Sequence, residues 1–185
     1  MGEIEDAIER ADRESFTKAP PKTLKGQIGY LIRQLGSAKA VAQEIGVTAD
    51  SVNRYRRGAR KHARADVASK IDDAVRQRWQ PQVRKRRQRQ AATTGGITVE
   101  TRARFGYTAP VGTTDDGRFR RLTVHLPPTY AQRLFDARDA GASDQQMRGI
   151  IAEGFKEVYF QDGGGRAMGL SDVAINDIDY LDLDY

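Results

Sequence analysis

SAKAVAQEIGVTADSVNRYRRG, Ser37 to Gly58, is the stretch whose reading decides the fold of the first half of this chain. Two short helical runs, 37–44 and 48–57, flank a glycine. A helix-turn-helix needs a small residue where its helices cross, a residue that tolerates a sharp turn, and apolar residues sealing both helices. Ala42 takes the crossing, Gly46 the turn and Val52 the inner face of the second helix, while Val41, Ile45, Val47 and Tyr55 fill the remaining apolar positions. Thr48 suits the amino-terminal cap of the second helix, which leaves Ala49, Asp50, Ser51, Asn53 and Arg54 facing outward. In this motif the second helix enters the major groove and its early residues touch base edges. Asparagine suits adenine and arginine suits guanine, so Asn53 and Arg54 are the candidate readers. An ordinary helical hairpin shares this skeleton. What favours DNA is the sequel: Arg54, Arg56, Arg57, Arg60, Lys61 and Arg64 are placed to meet phosphates beside a groove.

The rest of the composition points the same way. The chain has 185 residues and a net charge of +6, a balance that favours an anionic partner without saying anything about fold. The charge is uneven: Ser171 to Tyr185 holds five aspartates and no base, which reads as an acidic tail opposite a basic binding segment. There is no cysteine, and the two histidines, His62 and His125, are far apart. No thiolate metal site, disulfide or histidine pair at metal-ligand spacing is therefore expected. The amino-terminal MGEIEDAIERADRE lacks the apolar core of a signal peptide, and no apolar run approaches a membrane span. The expectation is a cytoplasmic protein on the nucleoid, with no membrane partner.

Outward from the motif, 3–16 reads as a charged helix with Ile4, Ala7, Ile8 and Ala11 on one stripe, and Lys18-Ala-Pro-Pro-Lys22 breaks it. Leu24 to Leu35 resumes helical spacing until Gly36. From 63 to 90 one long helix is predicted, with Val67, Ile71, Val75 and Trp79 at four-residue steps and Pro81 as a kink or break. Within it, Arg84, Lys85, Arg86 and Arg87 form an arm for phosphates, a signal resembling nuclear localisation sequences, or a solvated helix end. Ala91-Ala-Thr-Thr-Gly-Gly96 is small and polar and reads as a linker. Strand alternation follows at 97–107 and again at 120–126 through Leu122, Val124 and Leu126, then helices at about 129–140 and 143–160. Strand, helix, helix resembles a ribbon-helix-helix; the preferred reading is an α+β packing domain with Leu134, Ile150, Ile151 and Phe155 in its core. Gly163-Gly-Gly165 reads as a hinge, with no Gly-Lys-Ser/Thr after it to make a phosphate-binding loop.

The fold prediction is thus α+β and mainly α. A helical DNA-binding domain at 1–90 contains the helix-turn-helix at 37–58, and a linker follows at 91–96. Strand, loop, strand and two helices occupy 97–160, a β-hairpin plus two-helix domain, and the hinge and acidic tail occupy 161–185.

The loop between the strands, Val111-Gly-Thr-Thr-Asp-Asp-Gly117, is chemically unusual, with two hydroxyls beside two carboxylates and Arg118, Arg120 and Arg121 straight after. A Thr-Asp-Asp-Gly sequence is a sound turn on its own. Thr113 and Thr114 are both candidate nucleophiles, and residue types do not choose between them. Tyr107 and Thr108 are remoter candidates. Asp115 and Asp116 can assist a hydroxyl or simply hold the turn. The chain lacks any Ser-His-Asp order, so it does not read as an enzyme sufficient in itself.

From MGEIEDAIERADRESFTKAPPKTLKGQIGYLIRQLG through the helix-turn-helix, the strand pair around VGTTDDGRFRR and the tyrosine-rich acidic end, the chain resembles the terminal proteins that cap the linear chromosomes and plasmids of Streptomyces. Membership would imply that a threonine hydroxyl in 111–117 becomes joined to the 5′ phosphate of the DNA end and primes the synthesis that patches it. The resemblance places that hydroxyl on Thr114, with deoxycytidylate as the first nucleotide, from dCTP with Mg²⁺. It also implies a telomere-binding protein and a DNA polymerase as partners. A helix-turn-helix transcriptional regulator without covalent chemistry is the alternative, and a nucleoid protein binding any duplex a third.

Overall fold

The computed structural model describes residues 2–185. They form an α+β fold that is mainly helical, with one small antiparallel sheet. The chain divides into two compact units, Thr17–Pro81 and the two flanking segments, up to Phe16 and from Gln82 to Tyr185. This corrects the predicted boundary near 90. The amino-terminal helix α1 (Glu3–Glu14) buries Ile4, Ala7 and Ile8 in the same apolar cluster as the sheet, because the sheet's inner face needs covering and α1 carries a matching stripe. The Ile4 N–H, which has no partner within α1, donates to Asp144 Oδ1 at 2.8 Å.

The helical unit holds α2 (Leu24–Leu35), α3 (Ala38–Ile45), α4 (Ala49–Arg57) and α5 (Ala65–Arg78). Ile28, Leu31, Val41, Ile45, Val52 and Ile71 are fully buried in its core. Each such side chain stabilises the unit by about 1.5–3 kcal/mol, so a charge at Val52 would unseat α4. The single helix predicted at 63–90 is two helices, α5 and α6 (Pro81–Gln90). Proline lacks the N–H that a continuing helix needs and serves instead as the first residue of a new one. Gln80 turns the corner with φ 47°. Trp79 is fastened there by its indole N–H to the Lys18 carbonyl at 2.9 Å and by its ring against Tyr30.

The predicted linker at 91–96 is a widened helical turn over Ala91–Gly95 that continues α6, with Ala91 buried. The sheet follows. β1 (Ile97–Ala109), β2 (Gly112–Asp115), β3 (Arg120–Leu126) and β4 (Asp172–Asp184) are all antiparallel to their neighbours. β1 is central. β4 runs along one of its edges from Thr98↔Asp184 to Thr108↔Asp172, so β3 and β2 share the other, end to end: Ile97↔Leu126 to Ala103↔Arg120, then Gly106↔Asp115 to Ala109↔Gly112. The odd-numbered residues of β1 from Ile97 to Phe105 face inward with Leu122, Val124, Leu126, Val173, Ile175, Leu181 and Leu183. α1, α7 (Pro128–Asp139) and α8 (Asp144–Gly154) supply the remainder of that core. The helix predicted at 143–160 loses regular pitch after Gly154 and finishes as a π-helical segment, Phe155–Phe160. Leu134, Ile151 and Phe155 are buried as predicted, whereas Ile150 packs only partly against the cluster.

The acidic tail is a strand. Asp177 and Asp179 meet Arg104 and Arg102 across the outer face at 3.3 and 2.5 Å, and Asp182 meets Arg10 at 3.0 Å. The final residue is held inside: Tyr185 Oη donates to Asp12 Oδ1 at 2.7 Å. β3 spends its inner edge on β1 of the same chain, and the surrounding packing is that of an α+β domain.

Candidate nucleic-acid interface and reactive hydroxyl

In the helical unit the local sequence builds the predicted turn. Gly46 sits at φ 69°, ψ 42°, a conformation that costs a side-chain-bearing residue about 1–2 kcal/mol. Ala42 and Val52 are buried at the crossing. Thr48 Oγ1 accepts from the Ser51 N–H at 3.2 Å and shares a 3.0 Å hydroxyl contact with Ser51. Thr48 and Ser51 therefore shape the start of α4 as well as standing at its outer end. Asp50 and Arg54 pair at 2.8 Å with both side chains more than half exposed. Such an exposed i,i+4 pair is worth only about 0.3–0.5 kcal/mol, so Arg54 can exchange it for a base edge. Asn53 is half-buried beside them, and Arg56, Arg57, Arg60 and Lys61 are exposed without an ion pair among the described residues.

The charge is segregated. Residues 17–81 carry 14 Lys and Arg against 5 Asp and Glu, whereas the remaining residues carry 17 against 20. The whole excess of positive charge, +9, lies in the unit that holds the helix-turn-helix; the sheet unit is at −3. That distribution is the electrostatic footprint expected of a unit that binds phosphates.

The basic run on α6 divides by side. Arg84 is corrected from the predicted phosphate contacts: its side chain is 15% exposed, pairs with the buried Asp12 at 3.6 Å and stacks on Phe16 at 5.2 Å. Burial of Asp12 demands a cation there. Arg87 is half-buried, and only Lys85 and Arg86 of the four are exposed. Lys85, Arg86 and Arg89 line one wall of a groove of about 640 Å³ whose other wall holds Asp136 and Asp139.

The Thr-Thr-Asp-Asp segment is not an open loop. Thr113 and Thr114 lie in β2, an edge strand suited to β-branched residues, and the hairpin tip is Pro110-Val111. The loop predicted at 111–117 is thus corrected: Thr114 stands in an exposed strand. The two hydroxyls differ. Thr113 stands opposite Thr108, and their hydroxyls meet at 3.2 Å. Thr114 stands opposite Tyr107, on the other sheet face, and its hydroxyl makes no hydrogen bond among the described residues.

The two carboxylates hold structure. Asp115 Oδ1 accepts from Asn176 Nδ2 at 2.9 Å, crossing β1 at Gly106. A Cβ on Gly106 would come within 2.7 Å of that oxygen, so the crossing requires glycine. Asp116 accepts from the Arg118 N–H at 3.1 Å and from Arg120 Nε at 2.6 Å. The Arg118 N–H, and then Arg120, hold the Asp116 carboxyl below the usual carboxylate range. It is a poor proton acceptor in this state. The Tyr107 phenol, by contrast, is pushed up by burial, and its oxygen is enclosed without a hydrogen-bond partner. Arg120, Asp116, Tyr159 and Arg118 all act on it electrostatically, and Tyr159 packs on the same Phe160 ring as Tyr107, at 5.0 and 5.3 Å. Tyr159 and Asn176 carry no signal in the sequence that ties them to 111–117.

Among the described residues no group of three or more His, Asp or Glu could hold a metal ion, and no helix is long and apolar enough to cross a membrane. Comparison with protein-family models, curated proteins and solved structures finds no match to this chain.

Proposed function

We propose that this chain is a terminal protein: it binds the ends of a linear DNA through its helix-turn-helix and carries Thr114 as the hydroxyl that accepts the first nucleotide. The observation that carries this reading is the contrast between neighbouring threonines, Thr113 engaged with Thr108 and Thr114 exposed and unengaged. It adds to the resemblance along the chain and to the concentration of positive charge in residues 17–81.

The reaction is a nucleotidyl transfer. Thr114 Oγ attacks the α-phosphate of a deoxynucleoside triphosphate, a P–O bond forms, pyrophosphate leaves, and the hydroxyl proton passes to a base. A threonine hydroxyl is a weak nucleophile that needs activation. Asp116 is committed to Arg118 and Arg120, so this chain supplies the acceptor and its placement. Activation would fall to a partner DNA polymerase, whose divalent metal ions would supply charge stabilisation at the attacking and leaving oxygens. Arg118, exposed four residues beyond Thr114, is available to the triphosphate. The resemblance supplies dCTP as the first nucleotide and a telomere-binding protein as the recruiting partner.

The test is transfer of label. Purified chain, Mg²⁺, each radiolabelled deoxynucleoside triphosphate in turn and the host's telomere-replication proteins are combined, denatured and resolved. Label should survive denaturation on the wild type and on Thr113→Ala, and be absent from Thr114→Ala. Absence of label from the wild type, under conditions that label a known primer protein, would leave a helix-turn-helix regulator as the better reading.

A further inference from the structure

A helix that meets a phosphate backbone gains from bases and loses from acids, because a carboxylate repels the strand it approaches. Residues 17–81 hold five acids. Four lie outside α4 and are held by partners within the unit, as Glu44 is by Arg78 at 2.8 Å. Asp50 is the only acid on α4, and it stands on the outward side. Asp50, Asn53, Arg54 and Arg57 follow one another at the spacing that puts helical residues on one face, while Val52 and Tyr55 are buried on the other. A first-turn acid and an i,i+4 ion pair each favour a helix slightly. On this face the pair also presents a pattern.

The pattern is an acceptor beside a donor. Asp50 Oδ2 and Arg54 Nη2 stand 2.8 Å apart, with the two side chains 61% and 54% exposed. A carboxylate has two oxygens and a guanidinium five N–H donors, so the pair leaves capacity on both groups. In the major groove a C·G pair presents, side by side, guanine N7 and O6 as acceptors and the cytosine N4 amino group as a donor. O6 and N4 are themselves joined by a base-pairing N–H···O bond, about 2.9 Å long. Asp50 and Arg54 therefore carry the complementary pattern at the same spacing: two arginine N–H groups for N7 and O6, and a carboxylate oxygen for N4. An A·T pair fits less well. Its thymine methyl would meet the second arginine N–H, and its adenine N7 acceptor would lie beside the carboxylate.

We propose that Asp50 is a specificity-determining residue, reading the cytosine of a C·G base pair whose guanine is read by Arg54. The inference rests on residues 17–81 binding duplex DNA through the helix-turn-helix. Duplex DNA as the occupant is argued from the turn geometry and from the nine excess bases of this unit, without the resemblance along the chain. The carboxylate acts twice. It accepts from cytosine N4, and it repels the acceptor edges of guanine and thymine that would face it at a wrong pair. Asp50 thus lowers affinity for duplex in general and sharpens the choice of site.

The test uses the full-length chain and a site it selects from a randomised duplex library, which should contain such a C·G pair. Replacing that cytosine by N4-methylcytosine keeps the base pair but removes the groove donor. It should weaken wild-type binding about tenfold, and so should 7-deazaguanine in place of the paired guanine. Asp50→Ala should bind both cytosine forms alike, stay sensitive to 7-deazaguanine, and bind duplexes without the site at least as well as the wild type does. Arg54→Ala should lose the 7-deazaguanine effect. Both side chains lie in solvent, so melting temperatures should stay near the wild-type value. Wild-type indifference to N4-methylcytosine, or full sensitivity in Asp50→Ala, overturns the assignment and leaves Asp50 as an acid that favours the helix start. Wild-type binding with no base preference also overturns it and leaves duplex binding in place. No duplex binding at all removes the helix-turn-helix reading, and this inference with it.

Discussion

The helical unit and the sheet unit are opposites in charge and in the use they make of it. Residues 17–81 hold nine more bases than acids, and the arginines and lysine that follow its second motif helix are left exposed. The sheet unit has more acids than bases, and most of its arginines are spent: Arg102 on Asp179, Arg104 on Asp177, Arg120 on Asp116, Arg133 on Glu153 and Arg148 on Glu3. Unspent charge is what a phosphate backbone can use, and spent charge holds a sheet together. In this molecule the excess of exposed bases and the exposed Thr114 hydroxyl therefore lie in different units.

That contrast can be broken at several points. The largest effect is expected inside the sheet unit, at Asp12. It is 1% exposed and accepts from Gln88 and Tyr185 beside Arg84. Asp12→Ala removes a buried carboxylate that accepts from Gln88 and Tyr185 and pairs with Arg84, and should cost about 3–5 kcal/mol. Calorimetry should show the sheet unit melting early while the helical unit keeps its transition. A single transition, shifted as a whole, would mean that the two units do not melt as separate bodies.

Arg56→Ala with Arg57→Ala tests the other side. Duplex affinity should fall by about 100-fold near physiological salt, and the slope of log K against log salt should lessen by about 2. Labelling of Thr114 without telomeric DNA should be unaffected. If instead Lys85→Ala with Arg86→Ala causes the larger loss, the sheet unit shares in binding and the division fails.

A smaller effect is expected at Gly106, where an alanine would collide with Asp115 and Asn176. Losing that crossing hydrogen bond should cost about 1 kcal/mol, read as a lower melting temperature with duplex binding unchanged. The last prediction concerns pH. Burial, and then Asp12, push the Tyr185 phenol well above its ordinary range, and burial with Glu157 does the same to Tyr130. The folded chain holds these protons when the unfolded chain releases them near pH 10. Their contribution is thus complete below about pH 10 and declines as pH rises beyond it. Melting temperature measured from pH 8 upward should fall above that point, and Tyr185→Phe should flatten the fall.

Much of the helical unit was legible in the sequence because its signals are local. A small residue, a glycine and a threonine cap within a dozen positions determine α3, the turn and α4, and each acts on its immediate neighbours. The break at Pro81 was legible for the same reason. The arm at Arg84–Arg87 was only half legible: a charge run shows that bases are present, but which of them face inward depends on a carboxylate 72 residues earlier, at Asp12.

The sheet hid more. β4 turns Val173 and Ile175 inward at one end and Leu181 and Leu183 at the other, but nothing between 176 and 180 is buried, where the register slips on either side of Ala103. The slip breaks the period that marks a strand, so five aspartates read as a tail. The sequence by itself determined the helix-turn-helix, the excess of positive charge around it and the pairing of hydroxyls with carboxylates at 113–116. Only the tertiary structure decided that Thr113 is engaged and Thr114 is not, that Asp115 reaches Asn176 across β1 while Asp116 holds the turn, and that the last strand completes the sheet. The physical reason is range: caps and turns are settled within a few residues, whereas the partners of Asp115, Arg84 and Tyr185 lie 61, 72 and 173 residues away.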